Sequence, residues 1–198
     1  MADERTIDSV LVFCASSRRC APRYHEAAGR LGGSLARAGL TVVYGGGAVG
    51  SMGALADGAL ANGGEVIGVQ PHFMFELEWA HTSLTRLETV DDMQERKRRM
   101  LEYAGAVVTL PGGSGTFEEL FEVISAKRLG QFLGPVVIVN QDGFFDPCVT
   151  LLERCVEEHF MDERHREIWH VVDDVDDVLP AIARAPAWPA DAVQFAAS

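Results

Sequence analysis

Short runs of β-branched and other apolar residues alternate along the chain with longer stretches whose apolar positions recur every three or four residues. The short runs read as strands covered on both faces, and the longer stretches as amphipathic helices. Strands are predicted at 10–13, 41–44, 66–69, 84–87, 107–110, 135–139 and 168–172, and helices at 22–38, 51–61, 92–104, 116–128, 146–158 and 174–185. This alternation predicts βαβ units and an α/β fold: a single-domain, Rossmann-like, doubly wound parallel sheet with helices on both faces, occupying 1–185. Ligands of such sheets lie at the carboxyl ends of the strands. No repeat of fixed period and no low-complexity linker interrupts the pattern. Past Arg184 the helical stripe stops and two prolines, Pro186 and Pro189, follow, so 186–198 is expected to be a flexible tail.

Composition narrows the partners. The 198 residues are 47% hydrophobic, enough for a sizeable core. A formal charge of −12 repels nucleic acid and anionic membranes alike, so neither is an expected partner and any bound anion must be small and locally held. The start of the chain has no apolar leader-like stretch and no later run approaches bilayer length, which predicts a cytoplasmic protein. Cys14, Cys20, Cys148 and Cys155 form no C-x-x-C pair and read as reduced thiols in or near the core. The series Cys155, His159, His165, His170 matches no zinc spacing and reads as a solvated face, so no metal is expected.

Two glycine-rich segments each end a predicted strand and open a helix. The first is Val43-Tyr44-Gly45-Gly46-Gly47-Ala48-Val49-Gly50-Ser51-Met52-Gly53. Glycines let backbone approach a ligand closely, and a helix N-terminus offers unpaired N–H groups to a phosphate. Gly45, Gly47 and Gly50 also satisfy the dinucleotide pattern, but the acidic residue that should end the next strand is missing, since Glu65 stands at its start. Ser51 occupies the place of a Walker lysine. Packing alone can demand glycines at one such turn. It explains a second turn less well: Leu110-Pro111-Gly112-Gly113-Ser114-Gly115-Thr116-Phe117-Glu118-Glu119 again joins strand to helix, and brings two carboxylates. Consecutive helical residues point about 100° apart, so Glu118 and Glu119 cannot share one task.

The positive cluster Arg96-Lys97-Arg98-Arg99 lies upstream, on a helix with Met93, Met100 and Leu101 along one face. Arg96, three residues past Met93 and four before Met100, leans toward the sheet, whereas Arg98 and Arg99 fall on the solvated face. An arginine turned inward needs an anionic partner.

With these segments in view, the chain resembles the LONELY GUY family of cytokinin riboside 5′-monophosphate phosphoribohydrolases, whose members are often labelled lysine decarboxylases. The hallmark P-G-G-x-G-T-x-x-E is present as Pro111 to Glu119, accompanied by Tyr44-Gly45-Gly46-Gly47, by Gly50-Ser51-Met52-Gly53, by the Met93-x-x-Arg96-Lys97-x-x-Met100 helix and by Val12-Phe13-Cys14-Ala15-Ser16-Ser17. The resemblance runs from about residue 10 to 161. It implies Arg96 and Glu119 as the catalytic pair. It also implies substrate contacts at Ser16, Gly46, Gly47, Met52, Lys97, Gly112, Gly113, Ser114, Gly115, Thr116 and Glu118, and at an acidic position matching Glu78, with Glu76 as the alternative. Implied too are a nucleoside 5′-monophosphate substrate, hydrolysis of its N-glycosidic bond, no cofactor, and a homodimer. Ala15 replaces a usual glycine, and Ser125-Ala126-Lys127-Arg128 stands where many members carry Thr-Trp, which leaves the preferred base open. Lysine decarboxylation would need a lysine to carry pyridoxal phosphate, and Lys97 and Lys127, the only lysines, sit on neither glycine turn. The rival readings are a non-catalytic carrier of molybdenum-cofactor type and an NAD-linked oxidoreductase.

Overall fold

The computed structural model describes residues 7–75 and 80–196. Seven strands follow the order β4-β3-β2-β1-β5-β6-β7: β1 Ser9–Phe13, β2 Thr41–Tyr44, β3 Val66–Pro71, β4 Arg86–Val90, β5 Ala106–Thr109, β6 Val136–Val139 and β7 His170–Val172. The strand order runs outward in one direction to β4 and then resumes beyond β1, the doubly wound pattern. The helices are α1 Pro22–Arg37, α2 Gly50–Ala61, α3 Met93–Tyr103, α4 Ser114–Arg128, α5 Asp146–Glu157 and α6 Val178–Arg184. The α/β reading of the hydrophobic pattern is therefore correct. Several boundaries differ from it: the fourth strand spans Arg86–Val90 and not 84–87, the seventh begins at His170 and not at 168, α4 begins at Ser114 and not at 116, and the last helix is preceded by a 3-10 turn, Val175–Asp177, capped by Asp174. Among the described residues no helix is long and apolar enough to cross a membrane.

The chain packs as two compact units, one formed by residues up to 12 with 16–106, the other by 13–15 with 107 onward. In the first unit, β1 to β4 are parallel, with Val10 beside Val42, Val42 beside Val66 and Ile67 beside Arg86. Helix α1 buries Ala27, Ala28, Leu31 and Leu35 along one face, the spacing its sequence shows. It meets α2 at unusually short range. A Cβ on Gly32 would stand 2.1 Å from the Leu55 carbonyl oxygen, and one on Gly58 would stand 2.2 Å from that of Gly29, so these glycines set the helix–helix distance.

In the second unit β5, β6 and β7 are parallel, Val108 lying beside Val137 and Ile138 beside Val171. Its core holds Val107, Val108, Leu120, Ile124, Val137, Ile138, Phe145 and Ile168, all at most 4% exposed. Residues 185–196 pack here and are not the loose tail their prolines suggest. Trp188 is buried and its Nε1–H donates to the Lys127 carbonyl at 2.7 Å, while Arg128 donates to the Ala196 carbonyl from both Nε and Nη2. An aromatic anchor several residues past the last helix is invisible to a periodicity search but sufficient to dock the chain. His165 is fully buried against Phe195 and Trp188, its Nδ1 accepting the Asp162 N–H at 2.9 Å. The solvated reading of the histidine series holds for exposed His159 but is corrected for His165 and His170: α5 ends at Glu157, and burial pushes those two imidazoles below their ordinary pKa, helped by the charges of Arg128 and Lys127 respectively. Cys14 and Cys148 are buried thiols, and Cys20 and Cys155 are partly exposed.

Candidate active site

In the first unit β2 ends at Tyr44 and the chain turns through Gly45, Gly46 and Gly47 before α2 starts at Gly50. Gly46 and Gly50 have φ of +82° and +64°, the left-handed region in which a side chain is strained. Gly50 is doubly constrained, because a Cβ there would lie 2.6 Å from the backbone of Ser16 and Ser17. Ser16, a predicted contact, is thereby packed on the first turn of α2, whose N-terminus carries no side-chain cap. The Tyr44 hydroxyl, fully buried, donates to the Gly47 carbonyl at 3.1 Å and holds the turn from beneath.

Arg96 reaches this turn from α3. That helix is started by Asp92, which accepts the Glu95 N–H at 2.8 Å, while the Glu95 carboxylate accepts the Asp91 N–H at 3.0 Å. The cap fixes the rotation of the helix, so that Arg96, Lys97 and Met100 are buried while Arg98 pairs with Glu102 and Glu95 on the outside. The guanidinium of Arg96, 3% exposed, donates from Nε to the Val69 carbonyl and from Nη2 to the Gly45 carbonyl, both at 3.1 Å. It therefore ties the end of β2 to β3. Gly45 owes its lack of a side chain to this contact: a Cβ would stand 1.9 Å from Arg96 Nη2 and 3.2 Å from Met52 Cε. Predicted residues Met52 and Arg96 thus meet at Gly45. Arg99 lies on the solvated side as predicted, bonded to Glu88 at 2.8 Å. Burial pushes the Glu88 carboxyl up, but hydrogen bonds from Tyr103 and Arg99 outweigh it and hold the group below the usual carboxylate range.

In the second unit β5 ends at Thr109 and α4 begins at Ser114, with Gly113 at its cap position and no side chain capping it. The turn is closed by Gly112, where a Cβ would stand 2.2 Å from Thr116 Oγ1. Gly113 and Gly115 differ: a Cβ at either would touch nothing within 4 Å, and neither has positive φ. Neither packing nor backbone geometry requires glycine there. Their absent side chains leave open space at a helix start whose N–H groups are available to an anion. The face of α4 formed by Thr116, Leu120, Val123, Ile124 and Lys127 is buried, and Glu119 falls on it, 7% exposed, whereas Glu118 is exposed. The two glutamates are therefore distinguished as helix geometry demands. Phe117 fixes the helix start through ring contacts with Phe144 and Phe145, 6.3 and 5.6 Å between centroids.

Gly46, Gly47, Met52, Ser16, Arg96 and Lys97 belong to the first unit, and Gly112, Gly113, Ser114, Gly115, Thr116, Glu118 and Glu119 to the second. Glu76 and Glu78 lie outside the described residues. Tyr44 and Gly45 hold the first turn; the sequence placed both in its first glycine segment but named neither as a substrate contact. Lys127, fully buried, donates Nζ–H to the Gly134 carbonyl at 2.8 Å and sits 5.5 Å over the Trp188 ring, which makes it part of the tail's seat.

Fold and turns together define a class: a Rossmann-like α/β protein with two glycine-rich strand-to-helix turns. Residues 52–182 match the family model described as possible lysine decarboxylase. The chain is 39% identical over 182 residues to a cytokinin riboside 5′-monophosphate phosphoribohydrolase of Rhodococcoides fascians, covering 91% of each sequence. It is 37% identical over 181 residues to a probable enzyme of the same name from Oryza sativa subsp. japonica, covering 91% of this chain and 79% of that one. The chain belongs to the LONELY GUY family of cytokinin riboside 5′-monophosphate phosphoribohydrolases. Among solved structures, the molybdenum cofactor carrier protein of Chlamydomonas reinhardtii aligns with a TM-score of 0.70 and 20% identity, over 91% of this chain and 98% of that one, a likeness of fold alone.

Proposed function

We propose that this protein hydrolyses the N-glycosidic bond of a nucleoside 5′-monophosphate, AMP or an N6-substituted AMP, releasing the free base and ribose 5-phosphate. The observation that carries the reading is the second glycine turn. Open space at Gly113 and Gly115 adjoins an uncapped helix start, and a glutamate one turn into that helix faces inward while its neighbour faces out. The names of the relatives at 37 and 39% identity support the same activity.

In the proposed reaction water attacks C1′, the C1′–N bond breaks, its electrons leave with the base, and the proton lost by water ends on the solvent or on the base. Positive charge spreads over C1′ and the ring oxygen in the transition state. Glu119 stabilises that charge and accepts a proton from the water, while exposed Glu118 takes ribose hydroxyls. Backbone N–H groups of the first glycine turn, with Lys97 and Ser16, hold the phosphate, so that binding energy remote from C1′ fixes the reacting atoms. Arg96 acts as the cation of the catalytic pair. The same reading carries a cytoplasmic homodimer, supported by exposed Phe121, Leu129 and Leu151 in the second unit. Light scattering tests it, with a mass twice 21.5 kDa expected.

The test of activity is incubation with AMP and chromatography of the products. Adenine and ribose 5-phosphate in equal amounts support the hydrolase. Tight nucleotide binding without product supports a carrier in its place.

A further inference from the structure

The first glycine turn is held from above as well as from below. Gly47 pairs with Ala80 in an antiparallel bridge, and the His81 N–H donates to the Gly46 carbonyl at 3.0 Å. Nothing in the hallmark motifs accounts for His81, yet it is 8% exposed and its ring is fully engaged. Nδ1 lies 3.2 Å from the Ser83 backbone nitrogen, and Nε2 lies 3.0 Å from Asp57 Oδ1 on α2. A backbone N–H can only donate, so Nδ1 must offer its lone pair and the proton must sit on Nε2, where it is donated to the carboxylate. The partners thus select one neutral tautomer. That ring clamps residues 80–83 to α2, the helix that the turn itself opens.

The clamp bears on the phosphate donors through the geometry of one peptide group. No cis bond occurs among the described residues, and in a trans peptide C=O and N–H point opposite ways. Anchoring the Gly46 carbonyl on His81 therefore directs the Gly47 N–H to the opposite side, away from the 80–83 strap. Gly46 holds φ at +82°, and its Cα is pressed from the other side, since a Cβ would stand 3.2 Å from both Gln70 Cβ and Leu87 Cδ1. A glycine-rich turn has many conformers and binds an anion well only when its N–H groups are fixed beforehand.

We propose that His81 is a positioning residue for substrate: held by Asp57 and Ser83, it orients the Gly46–Gly47 peptide so that the first turn receives the 5′-phosphate. This rests on the phosphate-binding role given to that turn above. The side chain of Asp57 is 74% exposed, so its replacement is tolerated by the fold and isolates the clamp from packing.

The experiment compares Asp57→Ala, Asp57→Asn and His81→Ala in steady-state AMP hydrolysis and in calorimetric binding of ribose 5-phosphate. Asp57→Ala and His81→Ala are expected to raise KM for AMP and weaken ribose 5-phosphate about tenfold, the order of one charge-assisted hydrogen bond, with kcat within about twofold of the parent. Asp57→Asn keeps an oxygen that accepts the same N–H and is expected to restore both values. A merely structural role predicts a lower melting temperature with KM unmoved, and that outcome in Asp57→Ala overturns the proposal, as does a loss confined to kcat. If the parent protein releases no base from AMP, but ribose 5-phosphate binding still falls in Asp57→Ala and recovers in Asp57→Asn, the clamp stands and the hydrolase reading fails.

Discussion

Replacing Gly45 by alanine isolates the contact on which the first turn is built. The new Cβ would stand 1.9 Å from Arg96 Nη2, 1.5 Å short of the 3.4 Å at which ordinary contact begins. Arg96 Cζ at 3.1 Å and Met52 Cε at 3.2 Å are also tighter than ordinary contact, so the guanidinium must give way. A shift of that size breaks the 3.1 Å bond to the Gly45 carbonyl and strains the equal bond to Val69. Hydrogen bonds from a charged donor are each worth about 1.5 to 3 kcal/mol, and Arg96 is 3% exposed, so water does not replace them. Gly45→Ala is therefore expected to cost about 2 to 4 kcal/mol in urea unfolding and to reduce kcat/KM for AMP about a hundredfold. The mechanism is tested by a cycle with Arg96→Ala. Once the guanidinium is gone, the Cβ meets nothing closer than Met52, and Gly45→Ala should then cost less than about 1 kcal/mol. Equal costs in both backgrounds would refute the reasoning, as would a single variant as stable and active as the parent.

Other perturbations follow from the same geometry. Gly115→Ala adds a methyl that meets nothing, and removes a glycine from the first turn of α4, so the protein should gain up to about 1 kcal/mol of stability while KM for AMP rises; an unchanged KM would place the substrate elsewhere. Lowered pKa values of His165 and His170 mean that the folded protein binds fewer protons than the unfolded chain as pH falls below the ordinary value of 6.5. Their contribution is complete above 6.5 and is lost as pH falls from there through the lowered folded values, at most about 1.4 kcal/mol per pH unit for each proton taken up. Trp188 fluorescence should report the tail of the second unit loosening over that range, and His165→Gln should flatten the pH dependence of the melting temperature.

The strand and helix pattern was legible because most elements are amphipathic or wholly apolar, as in 41–44 and 22–37, whereas β4, RLETV, is neither and its bounds were misplaced. The two turns were legible because each glycine run stands where a strand ends and a helix begins, and two carboxylates follow one of them. What escaped the sequence was carried by single contacts, most of them between distant positions. Tyr44 and His81 reach the same three glycines from beneath and above, and no local pattern announces either bond. Gly45 read as room for a ligand and proves to be room for Arg96. The tail read as loose because one tryptophan and one arginine, without periodicity, dock it.

The measurement that bears most directly on the proposed hydrolase compares the protein with its Glu119→Gln variant in a panel of nucleoside 5′-monophosphates, reading released base and ribose 5-phosphate by chromatography, with circular dichroism confirming the fold. The expected result is equimolar release by the parent protein from AMP or an N6-substituted AMP, and a loss of at least about a hundredfold in kcat for the variant with its fold intact. Release at an undiminished rate from the folded variant, or none from any nucleotide by the parent protein, would contradict it.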